Sequence, residues 1–403
     1  MKIGIYNPNL ATMGGGEKVC LALAEALSSG NDVLLITYET QKREKLESYF
    51  GVNLKNTQIS IIPRSRLLAK IQPSRLIPNH VKKAVDNYHV YRSIKKLNLD
   101  IFVNNAYNTE IPSPAPVGVF MCMFPHKLLD LRDMSSLKRA YIKLVNAVTK
   151  SVMHPGAATW LDTYQLVTAN SKFTQKYIKK YWNRSSEIVY PISDNKKVEV
   201  AKTKSIVNVG RFFHNNGITH HKRQDFLVDT FVKMKKLHSD GWELHLAGTV
   251  NENAGDMAYV IDLLRRSEGF PVYLHLDAPL ATLKELYSKS TIYWHATGFG
   301  ADKKKNPERQ EHFGISTVEA MSAGSIPVVI KSAGQEEIVD HGVNGYLWET
   351  EKELMSTTLK AIAAADSVSV NAMEDAKQYN KEAFQKSSLE VFEPLYDLVT
   401  KKS

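Results

Sequence analysis

At 403 residues the chain exceeds what one ordinary hydrophobic core organises and calls for two domains of about 200 residues each. Its 43% hydrophobic, 9% aromatic and 23% charged residues exclude a disordered chain, and its two cysteines, Cys20 and Cys122, exclude a disulfide framework or a thiolate metal site. The net charge of +10 is uneven: residues 1–200 hold 28 Lys and Arg against 15 Asp and Glu, and residues 201–403 hold 24 against 27, so the first half is +13 and the second −3.

No uninterrupted apolar run approaches the ~20 residues that span a bilayer. "MKIGIYN" opens a strand pattern where a signal peptide would show a longer apolar core, so a cytosolic protein is expected. Along the chain, "KIGIYN", "DVLLITY", "ISII", "DIFVNN", "VGVFMC" and "QLVTAN" read as buried strands, with "GEKVCLALAEALSSG" and "SKFTQKYIKKYW" as helices among them. The polar stretch 193–204 reads as a linker. The strands "SIVNVG", "ELHLAG", "VYLHL", "TIYWHA" and "SIPVVI" follow, with "KRQDFLVDTFVKMKKLH" and "TLKELYSKS" as helices. Alternation of this kind predicts an α/β fold of two doubly wound parallel-sheet domains, residues 1–196 and 204–368. Residues 369–403 read as a helical tail packing back toward the first domain.

Three stretches carry chemistry. In "MGGGEK", Gly14, Gly15 and Gly16 strip side chains from a helix N-terminus, so amides can approach an anion; an ordinary flexible turn explains the same glycines, and the G-x-G-x-x-G spacing is absent. In "EHFGISTVEA", Ser316 and Glu319 have capping-box spacing, which makes Glu319 structural and leaves Glu311 unexplained. Gly314 permits close backbone approach, and the amides of Ile315, Ser316 and Thr317 form a phosphate cradle. A carboxylate beside such a cradle suits a sugar nucleotide. In "NVGRFFHNNGITHHKRQD", Arg211 and Lys222 can neutralise a leaving diphosphate. No Asp-x-Asp pair occurs to hold a metal for that purpose, and no cysteine accompanies His214, His220 and His221, so no metal site is expected.

These residues together resemble the family-4 retaining glycosyltransferases. The order of "GRF", "KRQD", Glu311, seven residues, Glu319, "AMSAGSIPVVI" and "AGQEEIV" matches the family, and "TANSKFT" and "IVYPIS" look like family segments. Bacterial group-1 enzymes and the mannosyltransferases of lipid-linked oligosaccharide assembly are the branches it is most similar to. The resemblance implies a GT-B fold, two Rossmann-like domains facing a cleft, with the acceptor on the first and the donor on the second. It implies that Glu311 contacts the donor sugar, Glu319 the ribose hydroxyls, and Arg211 and Lys222 the diphosphate. Gly15, Gly16, Phe313, Gly314 and the amides of Ile315, Ser316 and Thr317 would complete the donor site. Transfer would retain anomeric configuration, with the leaving phosphate helping to deprotonate the acceptor and with neither cofactor nor metal.

Two departures stand out. Where the family often has an active-site histidine two residues before a proline, this chain has Met123, and His126 after Pro125 is the candidate to take over. Arg211 and Lys222 are also more widely spaced than in the family, separated by a stretch that would fold away or cover the donor. The expected partners are a nucleotide-sugar donor, a glycan or lipid-linked acceptor and an anionic membrane surface. The last is suggested by "RSRLLAKIQPSRLIPNHVKK", 64–83, which Pro73 and Pro78 divide into short helical pieces or a loop. The protein would then be peripheral on the cytoplasmic membrane face. A sugar-nucleotide epimerase of related fold is the competing enzyme. A nucleic-acid binder, with Tyr88 and Tyr91 among basic residues, lacks a recognisable module, so no nucleic-acid partner is expected.

Overall fold

The computed structural model describes residues 1–74, 77–128, 134–193, 198–214 and 221–401. The chain divides into two compact units, Met1–Tyr190 with Phe384–Ser403, and Pro191–Ala383.

The first unit is built on a seven-stranded parallel sheet of β1 (Lys2–Tyr6), β2 (Asp32–Thr37), β3 (Thr57–Ile61), β4 (Ile101–Asn104), β5 (Val117–Cys122), β6 (Leu166–Ala169) and β7 (Glu187–Ile188), in the order β3-β2-β1-β4-β5-β6-β7. Its helices are α1 (Gly15–Leu27), α2 (Arg43–Phe50), α3 (Arg66–Ile71), α4 (Asn79–Lys95), α5 (Ser136–Met153) and α6 (Lys172–Trp182). Every residue of β5, "VGVFMC", is buried, as a parallel strand covered on both faces requires. The chain begins in the middle of the sheet, builds outward to β3 and returns past β1 to β4. The carboxyl ends of β1 and β4 therefore form the switch point where such sheets bind ligands.

The second unit repeats the plan with six parallel strands, β8 (Thr203–Val209), β9 (Glu243–Gly248), β10 (Val272–Leu276), β11 (Ser290–His295), β12 (Ile326–Ile330) and β13 (Tyr346–Trp348), in the order β10-β9-β8-β11-β12-β13. Its helices are α7 (Gln224–Lys233), α8 (Lys235–Ser239), α9 (Ala254–Ser267), α10 (Leu280–Lys289), α11 (Ile315–Ser322), α12 (Gln335–Ile338), α13 (Glu351–Ala363) and α14 (Ala365–Ala376). A last helix, α15 (Lys381–Thr400), passes into the first unit, where Asn31 Nδ2 donates to the Tyr396 hydroxyl at 3.4 Å. The core of the second unit gathers Phe231, Trp294 and Trp348, and the Trp294 indole donates to Thr358 Oγ1 at 2.9 Å.

Several elements differ from the sequence reading. "VYLHL" is the edge strand β10, with Tyr273 46% exposed, so it is covered less completely than a central strand. The long helix after Lys222 breaks at Met234, whose backbone leaves helical geometry (φ −83, ψ 59), and continues as α8. Residues 369–383 belong to the second unit, because α14 fastens there: Ser369 Oγ donates to Gly324 O at 2.8 Å and Asn344 Nδ2 to Asp375 Oδ2 at 2.7 Å. β7 and β13 have two and three residues, too few to show a period in sequence. Among the described residues no helix is long and apolar enough to cross a membrane. Residues 194–197 of the expected linker and 215–220 of the stretch between Arg211 and Lys222, including His220, lie outside the described residues.

Candidate active site

The switch point of the second unit, between the ends of β8 and β11, holds a compact ionic group. β8 runs into Gly210, where a side chain would displace Lys222: a Cβ there would lie 2.9 Å from Lys222 Cγ. Gly248, at the end of β9, is excluded from bearing one by the Gly210 carbonyl, 2.1 Å from its would-be Cβ. These two glycines let the Lys222 stem lie flat against the strand ends, and Lys222 Nζ donates to Glu311 Oε2 at 2.6 Å. Both side chains are about five-sixths buried, at 15% and 16% exposure, so the pair is shielded from the screening that weakens surface ion pairs. His295, the last residue of β11, sits 3.2 Å from the same oxygen through Nε2. Burial lowers the pKa of its imidazole, with Glu311 pulling the other way. The neutral ring donates from Nε2, leaving Nδ1 without a partner among the described residues. Sequence reading passed over His295, although a histidine closing a buried strand at the carboxyl edge was a usable signal.

The loop carrying Glu311 is held by backbone contact. Gly334 N donates to Glu311 O at 3.0 Å, and a Cβ on Gly334 would lie 2.4 Å from Phe313 Cα. Gly314 has φ +123, and its Cβ would meet Gln335 Nε2 at 2.4 Å, so both conformation and space demand glycine. Gln335 in turn accepts from Thr317 Oγ1 at 2.9 Å.

Three expectations here are corrected. The capping box does not form. The helix caps at Gly314, which places Ser316 two positions too deep, and its hydroxyl pairs instead with the Tyr293 hydroxyl at 2.8 Å. Glu319 is thereby released from capping and accepts from the Tyr287 hydroxyl at 3.3 Å. The Thr317 amide is also withdrawn from the cradle, because it donates to Gly314 O at 3.0 Å, leaving the amides of Ile315 and Ser316 without an acceptor among the described residues. Phe313 is 2% exposed with its ring 5.2 Å from that of Tyr379, so its side chain is core packing and only its backbone borders the site. Arg211 is exposed beside Phe213, 5.9 Å from the ring centre.

In the first unit, Glu17 closes the glycine turn: its carboxylate accepts from Gly14 N at 2.8 Å and from Asn7 Nδ2 at 3.4 Å. Gly15 and Gly16 are the first residues of α1. A Cβ on Gly16 would stand 2.8 Å from Met123 Cε, so the residue at the family's histidine position lies directly against the glycine loop. His126 lies elsewhere on the same edge. Its Nε2 is 3.1 Å from Glu110 Oε1, its ring is roughly parallel to Trp160 at 6.1 Å, and its carbonyl accepts from the Trp182 indole at 3.0 Å. Lys83 Nζ donates to the same Glu110 oxygen at 2.9 Å. Burial would raise the Glu110 pKa, but hydrogen bonding and charge from His126 and Lys83 outweigh it and hold the carboxyl at about 2. Glu110 and Lys83 were not singled out in the sequence, because nothing local marks them. Among the described residues no three His, Cys, Asp or Glu side chains gather as metal ligands, and His221 Nδ1 accepts from Arg223 N at 3.2 Å.

Residues 191–383 match the family model described as glycosyl transferases group 1. A GDP-Man:Man(3)GlcNAc(2)-PP-Dol alpha-1,2-mannosyltransferase of Yarrowia lipolytica is 24% identical over 381 residues, covering 82% of this chain and 57% of that protein. The human alpha-1,3/1,6-mannosyltransferase ALG2 is 25% identical over 309 residues, covering 70% and 67%. The chain thus spans little more than half the length of the Yarrowia relative. Among solved structures, Anabaena HepE in complex with UDP and glucose superposes with a TM-score of 0.65 at 17% identity, covering 98% of this chain and 100% of that one. Sucrose-phosphate synthase from Thermosynechococcus elongatus gives 0.66 at 15%, covering 98% and 99%. At these identities the likeness establishes the GT-B fold.

Proposed function

From a chain whose residues 191–383 match the family model of the group 1 glycosyl transferases, we propose a metal-independent retaining glycosyltransferase that moves a hexose from a nucleoside-diphosphate sugar to a glycan or lipid-linked acceptor. The observation that carries this reading is the Lys222–Glu311–His295 group beside the open amides of Ile315 and Ser316. Lys222 and Arg211 supply cations for a diphosphate that gains charge as it leaves, and the two amides donate to its oxygens. Glu319, freed from capping and accepting from Tyr287, is the group assigned to a ribose diol. Glu311, oriented by His295 from behind, accepts from a sugar hydroxyl and stabilises positive charge at the anomeric carbon.

In the reaction the bond from the anomeric carbon to the diphosphate oxygen breaks and one to the acceptor oxygen forms on the same face. The acceptor proton passes to the departing phosphate by way of His126. His126, with Glu110 as its fixed counter-charge, is the acceptor-side group in the first unit.

GDP-mannose is the first donor to test, because the Yarrowia relative is named for it, and UDP-glucose the second. The test is incubation with each donor and a lipid-linked glycan in EDTA, with product configuration read by NMR. An α-linked product from an α-donor is expected. An inverted product, dependence on a divalent metal, or release of an isomerised sugar without acceptor overturns the reading. Nucleotide binding is read separately by thermal shift, where a ligand at 100 times its Kd adds about 2.7 kcal/mol of stability.

A further inference from the structure

Helix α5 in the first unit is built the wrong way round for a surface helix. Leu137, Tyr141, Leu144, Val148 and Val152 are 84, 41, 62, 56 and 53% exposed. Their spacing of four, three, four and four places them on one stripe within an arc of about 80°. An ordinary surface helix turns such a stripe to the core. Here only Ile142 and Met153 are buried, and the apolar stripe faces outward. Five large apolar side chains in one line differ from the isolated exposed apolar residues any protein shows.

The charge around this stripe is one-sided. α5 carries Lys138, Arg139, Lys143 and Lys150 and no acidic residue. It lies beside α4, where the His80 ring meets Tyr141 edge-on at 5.2 Å, and α4 lies beside α3. The three helices α3, α4 and α5 carry two, four and four Lys or Arg residues and a single acid, Asp86.

We propose that α5 is an interfacial helix that seats its Leu137–Val152 stripe in the headgroup layer of an anionic bilayer, with Lys138, Lys143 and Lys150 of α5 and Arg66 and Lys70 of α3 neutralising lipid phosphates. Apolar side chains on an acid-free, cationic helix are what the boundary between headgroups and acyl chains selects. The apolar anchor therefore lies outside 64–83, where three of the cations are committed within the fold. Lys82 Nζ donates to the carbonyls of Gln72 and Ser74, both at 2.8 Å, Lys83 holds Glu110, and Arg64 pairs with Glu39 at 2.5 Å. Arg75 and Leu76 lie outside the described residues. The proposal goes beyond the transfer reaction and does not depend on which sugar is moved.

The experiment is flotation with phosphatidylglycerol-containing and pure phosphatidylcholine vesicles. Wild type should float with the anionic vesicles and lose most of that binding in high salt. The triple variant Leu137→Gln, Leu144→Gln, Val148→Gln should float about tenfold less or worse, since each exposed apolar side chain it removes is worth a sizeable fraction of a tenfold factor in partitioning. Because the three side chains are exposed, its melting temperature should match wild type. A Lys138→Gln, Lys143→Gln, Lys150→Gln variant should lose the preference for anionic vesicles. Equal flotation of wild type and the Leu/Val variant overturns the proposal. So does a wild type that ignores vesicles but is dimeric by light scattering and becomes monomeric in that variant, since the stripe would then join two copies of this chain. Nucleotide thermal shift on the same preparations keeps the two conclusions apart: vesicle binding without nucleotide binding would sink the transferase reading and leave the surface standing.

Discussion

Each unit ties one glutamate to one lysine and one histidine at the carboxyl edge of its sheet, and burial separates the two groups. Lys222, Glu311 and His295 have side-chain exposures of 15, 16 and 2%; Lys83, Glu110 and His126 have 37, 38 and 20%. In the buried group the histidine is neutral and acts as a fixed donor, so Glu311 is held in one orientation by two bonds to the same oxygen. In the open group the carboxyl stays ionised down to about pH 2, and the histidine stands beside a permanent negative charge that solvent reaches. The same three residue types thus make a rigid electrostatic fixture in one place and a solvent-accessible charged group in the other. A fixture suits charge that develops in a bound donor, and an accessible pair suits an acceptor that arrives from solution or a surface.

The largest effect is expected from breaking the fixture. Glu311→Gln should lower kcat by at least about 100-fold, since it removes a preorganised charge at the reacting centre. Nucleoside-diphosphate affinity should change little, because the diphosphate contacts assigned to Lys222, Arg211 and the amides are untouched. A loss of affinity as large as the loss of turnover would reassign Glu311 to nucleotide binding. Lys222→Ala and Arg211→Ala should each cost on the order of 2–4 kcal/mol in transition-state stabilisation, with Lys222→Ala nearer the top. Lys222 is the buried member of a pair and its loss strands Glu311, whereas Arg211 is exposed. Steady-state kcat/KM for both variants in EDTA checks the order. Rescue of either variant by a divalent metal would break the metal-free assignment.

Of the buried group the sequence names Glu311 and Lys222 but not His295, and of the open group it names only His126, without its partners; the reason is physical. Glu311, Gly314 and the start of α11 lie in one short stretch, so spacing alone reports their relation. The strands flanking them are buried on both faces and announce themselves as apolar runs. Even there the register of the cap escaped detection. Ser-x-x-Glu spacing fits a capping box, but Gly314 at φ +123 sets the helix start two residues earlier and sends Ser316 to Tyr293, a partner more than 20 residues away. The open group draws Lys83 from α4, Glu110 from the loop after β4, His126 from beyond β5, and its aromatic walls from Trp160 and Trp182. Nothing local links residues 83, 110 and 126; only the strand order places them together. The outward stripe of α5 is a similar case. Its helical period is visible in the sequence, but which side faces outward is decided by packing.

The open group should respond more moderately. His126→Ala and Glu110→Gln are each expected to lower kcat about 10- to 100-fold if His126 handles the acceptor proton, with donor affinity unchanged. Glu110→Gln keeps the shape of the pair and removes its charge, so a purely structural role predicts normal kcat for Glu110→Gln and reduced stability for both. Turnover at wild-type level in both variants would assign proton removal to the leaving phosphate alone.

The smallest effect, and the most direct reading of the difference in burial, is on stability against pH. His295 has a lowered pKa in the fold, so the unfolded chain takes up a proton first as pH falls below about 6.5. The stability that neutral His295 contributes is therefore complete above about pH 6.5 and declines as pH falls below it. Glu110 is displaced in the same direction, with its charged form favoured where His295 favours the neutral one: held at about 2 against an ordinary value of 4.5, it contributes stability that is complete above 4.5 and is lost between 4.5 and about 2. Acid unfolding should accordingly show a His295 component first and a Glu110 component later. The second should be the weaker, because solvent screens a carboxylate that is 38% exposed. Melting temperatures measured from pH 8 to pH 3 for wild type, His295→Gln and Glu110→Gln separate them. His295→Gln should flatten the slope just below pH 6.5, and Glu110→Gln should flatten it only below pH 4.5. A wild type that instead gains stability relative to His295→Gln as pH falls from 6.5 to 5 would mean that the buried imidazole is already charged in the fold, and the fixture would then be a salt-bridged triad in place of a neutral donor holding a carboxylate.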